Sequence, residues 1–90
     1  MKQAGKRRSM GGSVWPRRLD ELAARGRLLP ALDALTDERQ RTLILLRHGL
    51  GLSWPAARGE AERLGLLYSD RQLFRIYAQA LRTLEAADES

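Results

Sequence analysis

Cysteine is absent from this chain of 90 residues, and its single histidine, His48, has no cluster of acidic residues beside it in the sequence. Without cysteine the protein forms no disulfide and offers no thiolate ligand to zinc, which fits a reducing compartment. We therefore expect no metal site and no cofactor. His48 is expected near the carboxyl end of a helix, where its side chain interacts with the helix dipole.

Long apolar runs and catalytic patterns are also lacking. No stretch approaches the ~18 apolar residues of a membrane helix, and no apolar segment of a secretory signal follows the basic first 13 residues. The sequence shows no nucleophile beside a base, no paired carboxylates in an apolar frame and no glycine-rich phosphate loop. We expect a cytoplasmic protein that is not an enzyme.

Basic residues outnumber acidic ones, and the formal net charge is +5. This excess favours an acidic partner, with nucleic acid first. Eight Lys or Arg stand against two acidic residues in positions 1–29, whereas positions 30–90 hold eight Arg against nine acidic residues. A DNA-binding surface in the globular part must therefore be a local face.

Apolar residues recur at helical spacing along most of the chain, and no segment alternates in the manner of a strand. We predict an all-α fold, a small helical domain of about five helices with short connections. A flexible basic arm is expected at 1–13, the helical domain at 14–86 and a frayed acidic tail at 87–90. The first helix carries Trp15, Leu19 and Leu22 on one face, and a short helix follows from Ala31 to Leu35.

Two helices are predicted in the middle of the chain. Thr36 is expected to cap a core helix over about 37–48, ended by Gly49, because a helix start favours a hydroxyl and a helix end favours glycine. Ser53 is expected to cap the next helix, about 54–64. The predicted buried residues of these helices are Leu43, Ile44, Leu45, Leu46, Leu50, Ala56, Ala57, Ala61 and Leu64.

The last helix, predicted over about 70–86, has two contrasting faces. Ser69 and Gln72 fit a capping box at its start. One arc is apolar and predicted to be buried: Leu73, Ile76, Tyr77, Ala80 and Leu84. The opposite side carries Arg71, Arg75, Ala78 and Arg82, flanked by Gln72 and Gln79, and Phe74 borders it.

This polar face has the chemistry of a helix that lies in a DNA major groove. Arginine pairs two donors with guanine, glutamine pairs with adenine, and a small alanine permits close approach. A shorter helix and a turn containing Gly65 precede it. This order is that of a helix-turn-helix, here about 53–86.

The segments "LTDERQRTLILLRHGLGLS", "ERLGL" and "ALRTL" resemble the fourth conserved region of bacterial sigma factors and related helix-turn-helix regulators. The resemblance spans about residues 31–86, and "LLRHGLGLS" is its most specific part. In that family the last helix contacts promoter DNA in the major groove, and the helices before it contact RNA polymerase. The resemblance implies a transcriptional regulator in a bacterial cell or a phage-infected host.

The expected contacts follow from this resemblance and from the polar face. Base contacts are assigned to Arg71, Gln72 and Arg75, with Gln79 and Arg82 on the same recognition helix. Phosphate contacts are assigned to residues before that helix and to the basic arm: Lys6, Arg7, Arg8, Arg39, Arg47, Ser53 and Ser69.

The sequence departs from the family pattern in three places. The stretch between Leu52 and Leu64 is about three residues longer, and "LGLLYS" is about two residues longer than "LGLS". The acidic pair that usually follows the aromatic residue of the helix is replaced by Pro55-Ala56. No polymerase-core-binding region accompanies the module, which fits a small stand-alone regulator, encoded for example by a phage.

Two alternatives to DNA binding stay open on the sequence. In the first, the chain is a protein-interaction module, such as a phage-type regulator or antiterminator, that docks on RNA polymerase or sigma factor. It is otherwise an RNA-binding protein that uses its basic arm. Homodimerisation through the first helix, around Trp15, Leu19 and Leu22, is compatible with DNA binding because small helix-turn-helix proteins often occupy two half-sites.

Overall fold

A computed structural model describes residues 14–89 of the chain. This part contains five α-helices and no strand, which confirms the predicted all-α class. In chain order the helices are α1 (Trp15–Ala24), α2 (Leu28–Leu32), α3 (Glu38–Ile44), α4 (Trp54–Arg63) and α5 (Asp70–Glu89), and a π-helical turn, Leu45–Gly49, continues α3. Among these helices none has both the length and the apolar character needed to cross a membrane.

The second helix begins three residues before its predicted start at Ala31. Pro30 occupies its third position, within the first turn, where a backbone N–H has no acceptor inside the helix. The proline therefore costs no helical hydrogen bond there. Leu28 and Leu32 are buried, as is Leu35, which follows the helix and whose N–H donates to the Leu32 carbonyl at 2.9 Å.

The third helix is capped by Asp37 and not by the predicted Thr36. Asp37 has extended backbone angles, and its carboxylate accepts a hydrogen bond from the Arg39 N–H at 2.9 Å. After Ile44 the helix widens into the π-helical turn, in which the Leu50 N–H donates to the Leu45 carbonyl at 2.9 Å. The predicted helix at about 37–48 is thus two successive segments of different geometry.

Several residues predicted to be buried are exposed. Leu50 follows the π-helical turn and Leu64 follows the last residue of α4, and both side chains are more than 60 % exposed. Ala56 lies on the outer side of the first turn of α4. Only Ala57 and Ala61 of that helix are buried, because a short helix packed on one side covers few positions.

The core lies between the first, third and last helices and the π-helical turn. α5 packs mainly against α3, whereas α1 and α4 both pack against the π-helical turn. The predicted apolar arc of α5 is confirmed as buried. The largest fully buried side chains are Leu19, Leu35, Leu43, Ile44, Leu73 and Leu84.

The last helix continues to Glu89, beyond the predicted end at about 86. The Asp88 carboxylate accepts a hydrogen bond from the Arg18 guanidinium of α1 at 2.9 Å. This exposed ion pair joins the end of α5 to the start of the fold.

Alanine substitutions at two glycines distinguish the effect of backbone strain from the effect of side-chain packing. Gly51 has a φ of +68°, whereas Gly59 lies inside α4, and a Cβ at either position would meet nothing within 4 Å. We expect Gly51→Ala to lower the free energy of unfolding by about 1 kcal/mol, because a left-handed conformation strains alanine. Gly59→Ala should raise it by up to about 1 kcal/mol through helix propensity. Urea denaturation followed by circular dichroism measures both, and equal effects would contradict this assignment of strain.

Candidate nucleic-acid interface

The outward side of α5 brings together four of the predicted contact residues. Arg71, Arg75, Gln79 and Arg82 are all exposed, and Ala78 between them is half-buried. At ~1.5 Å of rise per residue, the three arginines extend over about 16 Å of helix. The buried apolar arc on the opposite side holds these positions outward.

The three arginines of this face are unpaired. No ion pair or side-chain hydrogen bond engages Arg71, Arg75 or Arg82 among residues 14–89. Four other arginines of the same part are held by a carboxylate: Arg18 by Asp88, Arg39 by Asp37, Arg58 by Asp70 and Arg63 by Glu60. The guanidinium groups of the α5 face are thus available to an external acceptor.

The start of α5 has the predicted capping box. The Ser69 hydroxyl accepts from the Gln72 N–H at 3.2 Å, and the Gln72 Oε1 accepts from the Ser69 N–H at 3.0 Å. The amide oxygen of Gln72 is therefore engaged within the chain. Its amide nitrogen is the part of this side chain that remains for another contact.

Arg39 is bound to its own helix cap. Its guanidinium donates to both carboxylate oxygens of Asp37, at 3.1 and 2.8 Å, and to the Tyr68 hydroxyl at 3.4 Å. The hydrogen bonds and charge of Arg39 lower the pKa of Asp37 to about 2. The Arg39 side chain is still 44 % exposed, so a phosphate has access only to the N–H groups that Asp37 and Tyr68 leave free.

Arg47 is turned toward the protein. Its guanidinium donates to the Leu52 carbonyl and lies 5.3 Å from the centre of the Trp54 ring. Ser53 caps α4, and its hydroxyl accepts from the Ala56 N–H at 3.4 Å. Arg47 and Ser53 thus both stabilise the start of α4. Ser53 is exposed, whereas Arg47 is half-buried.

His48 is buried in the core, which sequence reasoning missed. Its Nδ1 lies 2.9 Å from the Asp20 carboxylate of α1, and its Nε2 lies 2.7 Å from the Tyr77 hydroxyl of α5. Since the carboxylate only accepts, Nδ1 is the donor, and Nε2 of a neutral imidazole accepts the phenol hydrogen. No local sequence signal predicts this chain of hydrogen bonds, because successive residues in it lie 28 and 29 positions apart.

Three aromatic rings form a cluster beside the polar face of α5. The Trp54 ring of α4 lies 5.8 Å from Phe74 and 5.2 Å from Tyr77, measured between ring centres. Phe74 and Tyr77 are 6.3 Å apart. Trp54 therefore connects the first turn of α4 to α5, as the Arg58–Asp70 ion pair does at 2.9 Å.

The remaining predicted contacts lie elsewhere. Lys6, Arg7 and Arg8 of the expected arm fall outside the described residues.

Residues 14–89 contain no group of three His, Cys, Asp or Glu side chains that would hold a metal ion. Trp15 and Leu19, considered above for dimerisation, are buried in the core of the chain itself, and Leu22 is packed against that core.

Comparison with known proteins finds no matching family, no matching curated protein and no matching solved structure.

The buried hydroxyl of Tyr77 makes a measurable contribution to stability. Tyr77→Phe leaves His48 Nε2 without its partner, so we expect a loss of about 1–2 kcal/mol in the free energy of unfolding at neutral pH. The control is Tyr68→Phe, whose hydroxyl makes one exposed contact at 3.4 Å. Urea denaturation should show a clearly smaller effect for the control. Equal losses would contradict the importance of the buried hydrogen bond between Tyr77 and His48.

Tyr77 should also make the stability of the folded protein fall at alkaline pH. Burial raises the pKa of Tyr77 above its ordinary value of 10.0. The folded state then keeps a proton that the unfolded state loses, so stability falls as the pH rises above about 10. Melting temperatures between pH 9 and 11 should fall less in Tyr77→Phe than in the wild type, and parallel curves would contradict this linkage.

The carboxylate of Asp37, which caps α3, should make the stability of the folded protein fall at acid pH. Because the pKa of Asp37 is lowered from 3.8 to about 2, its contribution is present above pH 4 and is lost as the pH falls toward 2. Asp37→Asn keeps a capping oxygen and removes the charge. The melting temperature of this variant should change less than that of the wild type between pH 4 and 2. An equal decrease in both proteins would contradict the role of the Asp37 charge.

Proposed function

We propose that this chain is a DNA-binding transcriptional regulator that places α5 in the major groove of duplex DNA. α4, the connection through Gly65 and α5 act as its helix-turn-helix, as the resemblance to sigma region four implies. The observation that carries the proposal is the face of α5, where Arg71, Arg75 and Arg82 are exposed and make no ion pair within residues 14–89, while the opposite face is buried.

Base recognition is assigned to the first two turns of this face. Arg71 and Arg75 lie one helical turn apart, a spacing that lets each guanidinium contact a guanine edge. Gln79 has both ends of its side-chain amide free among the described residues, which suits a bidentate contact with adenine. Gln72 contributes its amide nitrogen only, since its oxygen completes the capping box.

Phosphate contact is assigned to the ends of this face. The N–H groups that the cap leaves free in the first turn of α5 favour an anion. The Ser69 hydroxyl donates to Gln72 Oε1 at 3.3 Å, so it would exchange this bond for one to a phosphate. Asp70 would repel a phosphate there, but its carboxylate is bound by Arg58 at 2.9 Å, which offsets the charge. Arg82 extends the basic face toward the far strand, and the arm residues Lys6, Arg7 and Arg8 add charge from outside the described part.

The alternative function is docking on a protein such as RNA polymerase or sigma factor. An apolar groove of about 470 Å³ supports it, lined by Leu28, Leu45 and two exposed leucines, Leu29 and Leu50. Exposed apolar surface of this kind is typical of protein-interaction sites. The groove is formed by the α1–α2 connection and the π-helical turn, away from the arginines of α5, so both functions are compatible in one molecule.

Arginine substitutions test the DNA-binding proposal. In the full chain we expect Arg71→Ala and Arg75→Ala each to weaken binding to a selected duplex by about tenfold or more, because each removes a bidentate base contact. Arg25→Ala is the matched control, since Arg25 is exposed, carries the same charge and lies in the α1–α2 connection. Fluorescence anisotropy measures the affinities, and binding of the wild type should weaken steeply with salt.

Other outcomes separate the alternatives. Equal affinity of the three variants and the wild type would remove α5 as the recognition helix. Loss of nucleic-acid binding on deletion of residues 1–12 alone would indicate the arm as the binding element. Recovery of polymerase subunits by the wild type without DNA, and its loss in Leu50→Ala, would favour the docking function.

A further inference from the structure

Phe74 is an exposed aromatic residue that borders the arginine face of α5. Its side chain is 57 % exposed, although a phenylalanine loses favourable free energy by remaining in water. It is nevertheless held in place, with its ring 5.8 Å from Trp54 and 6.3 Å from Tyr77. An exposed ring that its neighbours immobilise is a preformed apolar contact surface.

The surroundings of Phe74 indicate which partner this surface fits. Arg71 and Ala78 lie one turn before and after it on the same side of α5, and Arg75 is its neighbour in the chain. The nearest acidic side chain at the start of the helix, Asp70, is bound by Arg58 at 2.9 Å. The partner must therefore present hydrogen-bond acceptors or negative charge to the arginines and a small apolar group to the ring.

A major groove that contains thymine meets both requirements. The C5-methyl of thymine is the apolar group that an unmodified base pair presents in that groove, beside the acceptors of neighbouring bases. A cleft of about 310 Å³ beside the ring, lined in part by Trp54, Pro55 and Phe74, offers room for such a group.

We infer that Phe74 is a specificity-determining residue that selects thymine by contact with its C5-methyl, at a position next to the bases contacted by Arg71 and Arg75. This inference rests on the proposed function, because it requires α5 in the major groove. It adds a base identity to the site, whereas the arginines specify guanine.

The test removes the methyl from the DNA and the ring from the protein. A duplex is selected from a random pool with the full chain, and each thymine is replaced singly by deoxyuridine. We expect one replacement to weaken wild-type binding by about fourfold, the effect of leaving one methyl exposed. Phe74→Ala should bind the thymine duplex more weakly and should lose most of the difference between thymine and deoxyuridine at that position.

Two further variants make the result specific. Phe74→Leu keeps an apolar contact and should retain part of the discrimination. Leu29→Ala removes an exposed apolar side chain from α2 and should retain all of it. Circular dichroism melting identifies any variant that fails to fold, and the wild-type comparison of thymine with deoxyuridine needs no variant.

The failures are distinguishable. If the wild type selects no duplex, the proposed function itself fails, and this inference fails with it. If the wild type binds a selected duplex with equal affinity for thymine and deoxyuridine at every position, DNA binding stands and the role of Phe74 is overturned. Full discrimination by Phe74→Ala would also overturn it, and wild-type DNA affinity in that variant would reassign the ring to a protein partner.

Discussion

A hydrogen-bonded chain of three side chains holds the helices of this protein in one arrangement. Asp20, His48 and Tyr77 come from α1, the π-helical turn and α5, and both contacts of the buried imidazole are made at 2.9 Å or less. The imidazole of His48 and the hydroxyl of Tyr77 are buried and would be costly if they were unpaired, whereas the Asp20 side chain is 66 % exposed and reaches the imidazole from the surface. The Tyr77–His48 contact and the buried apolar arc of α5 together set the rotation of this helix about its own axis.

The face that α5 presents to solvent is a consequence of that rotation. With Tyr77 and the leucines of the arc inside, Arg71, Arg75 and Arg82 are placed outside, where no carboxylate of the described residues pairs with them. The aromatic contacts of Trp54 and the Arg58–Asp70 ion pair then fix α4 beside the start of the same helix. The proposed recognition surface and its support are thus produced by one set of packing contacts.

The pattern-based predictions succeeded where one segment carried its own signal. The buried arc of α5 and its capping box depend on residues three or four positions apart, and both are confirmed. They failed where the local signal allows more than one outcome. Thr36 and Asp37 are both good caps, Leu50 and Leu64 continue an apolar spacing beyond the ends of their helices, and Pro30 fits inside the first turn of α2 as well as before it.

The helical class, most helix boundaries and the two faces of the last helix could be predicted from the amino-acid sequence, because they depend on periodicity and capping within a few residues. The folded structure was needed to show which arginines have partners within residues 14–89. Phosphate contacts were predicted for Arg39 and Arg47, yet a cap carboxylate binds the first guanidinium and a carbonyl and an indole ring bind the second. The burial of His48 was decided in the same way, since its partners reach it only when three distant segments pack together.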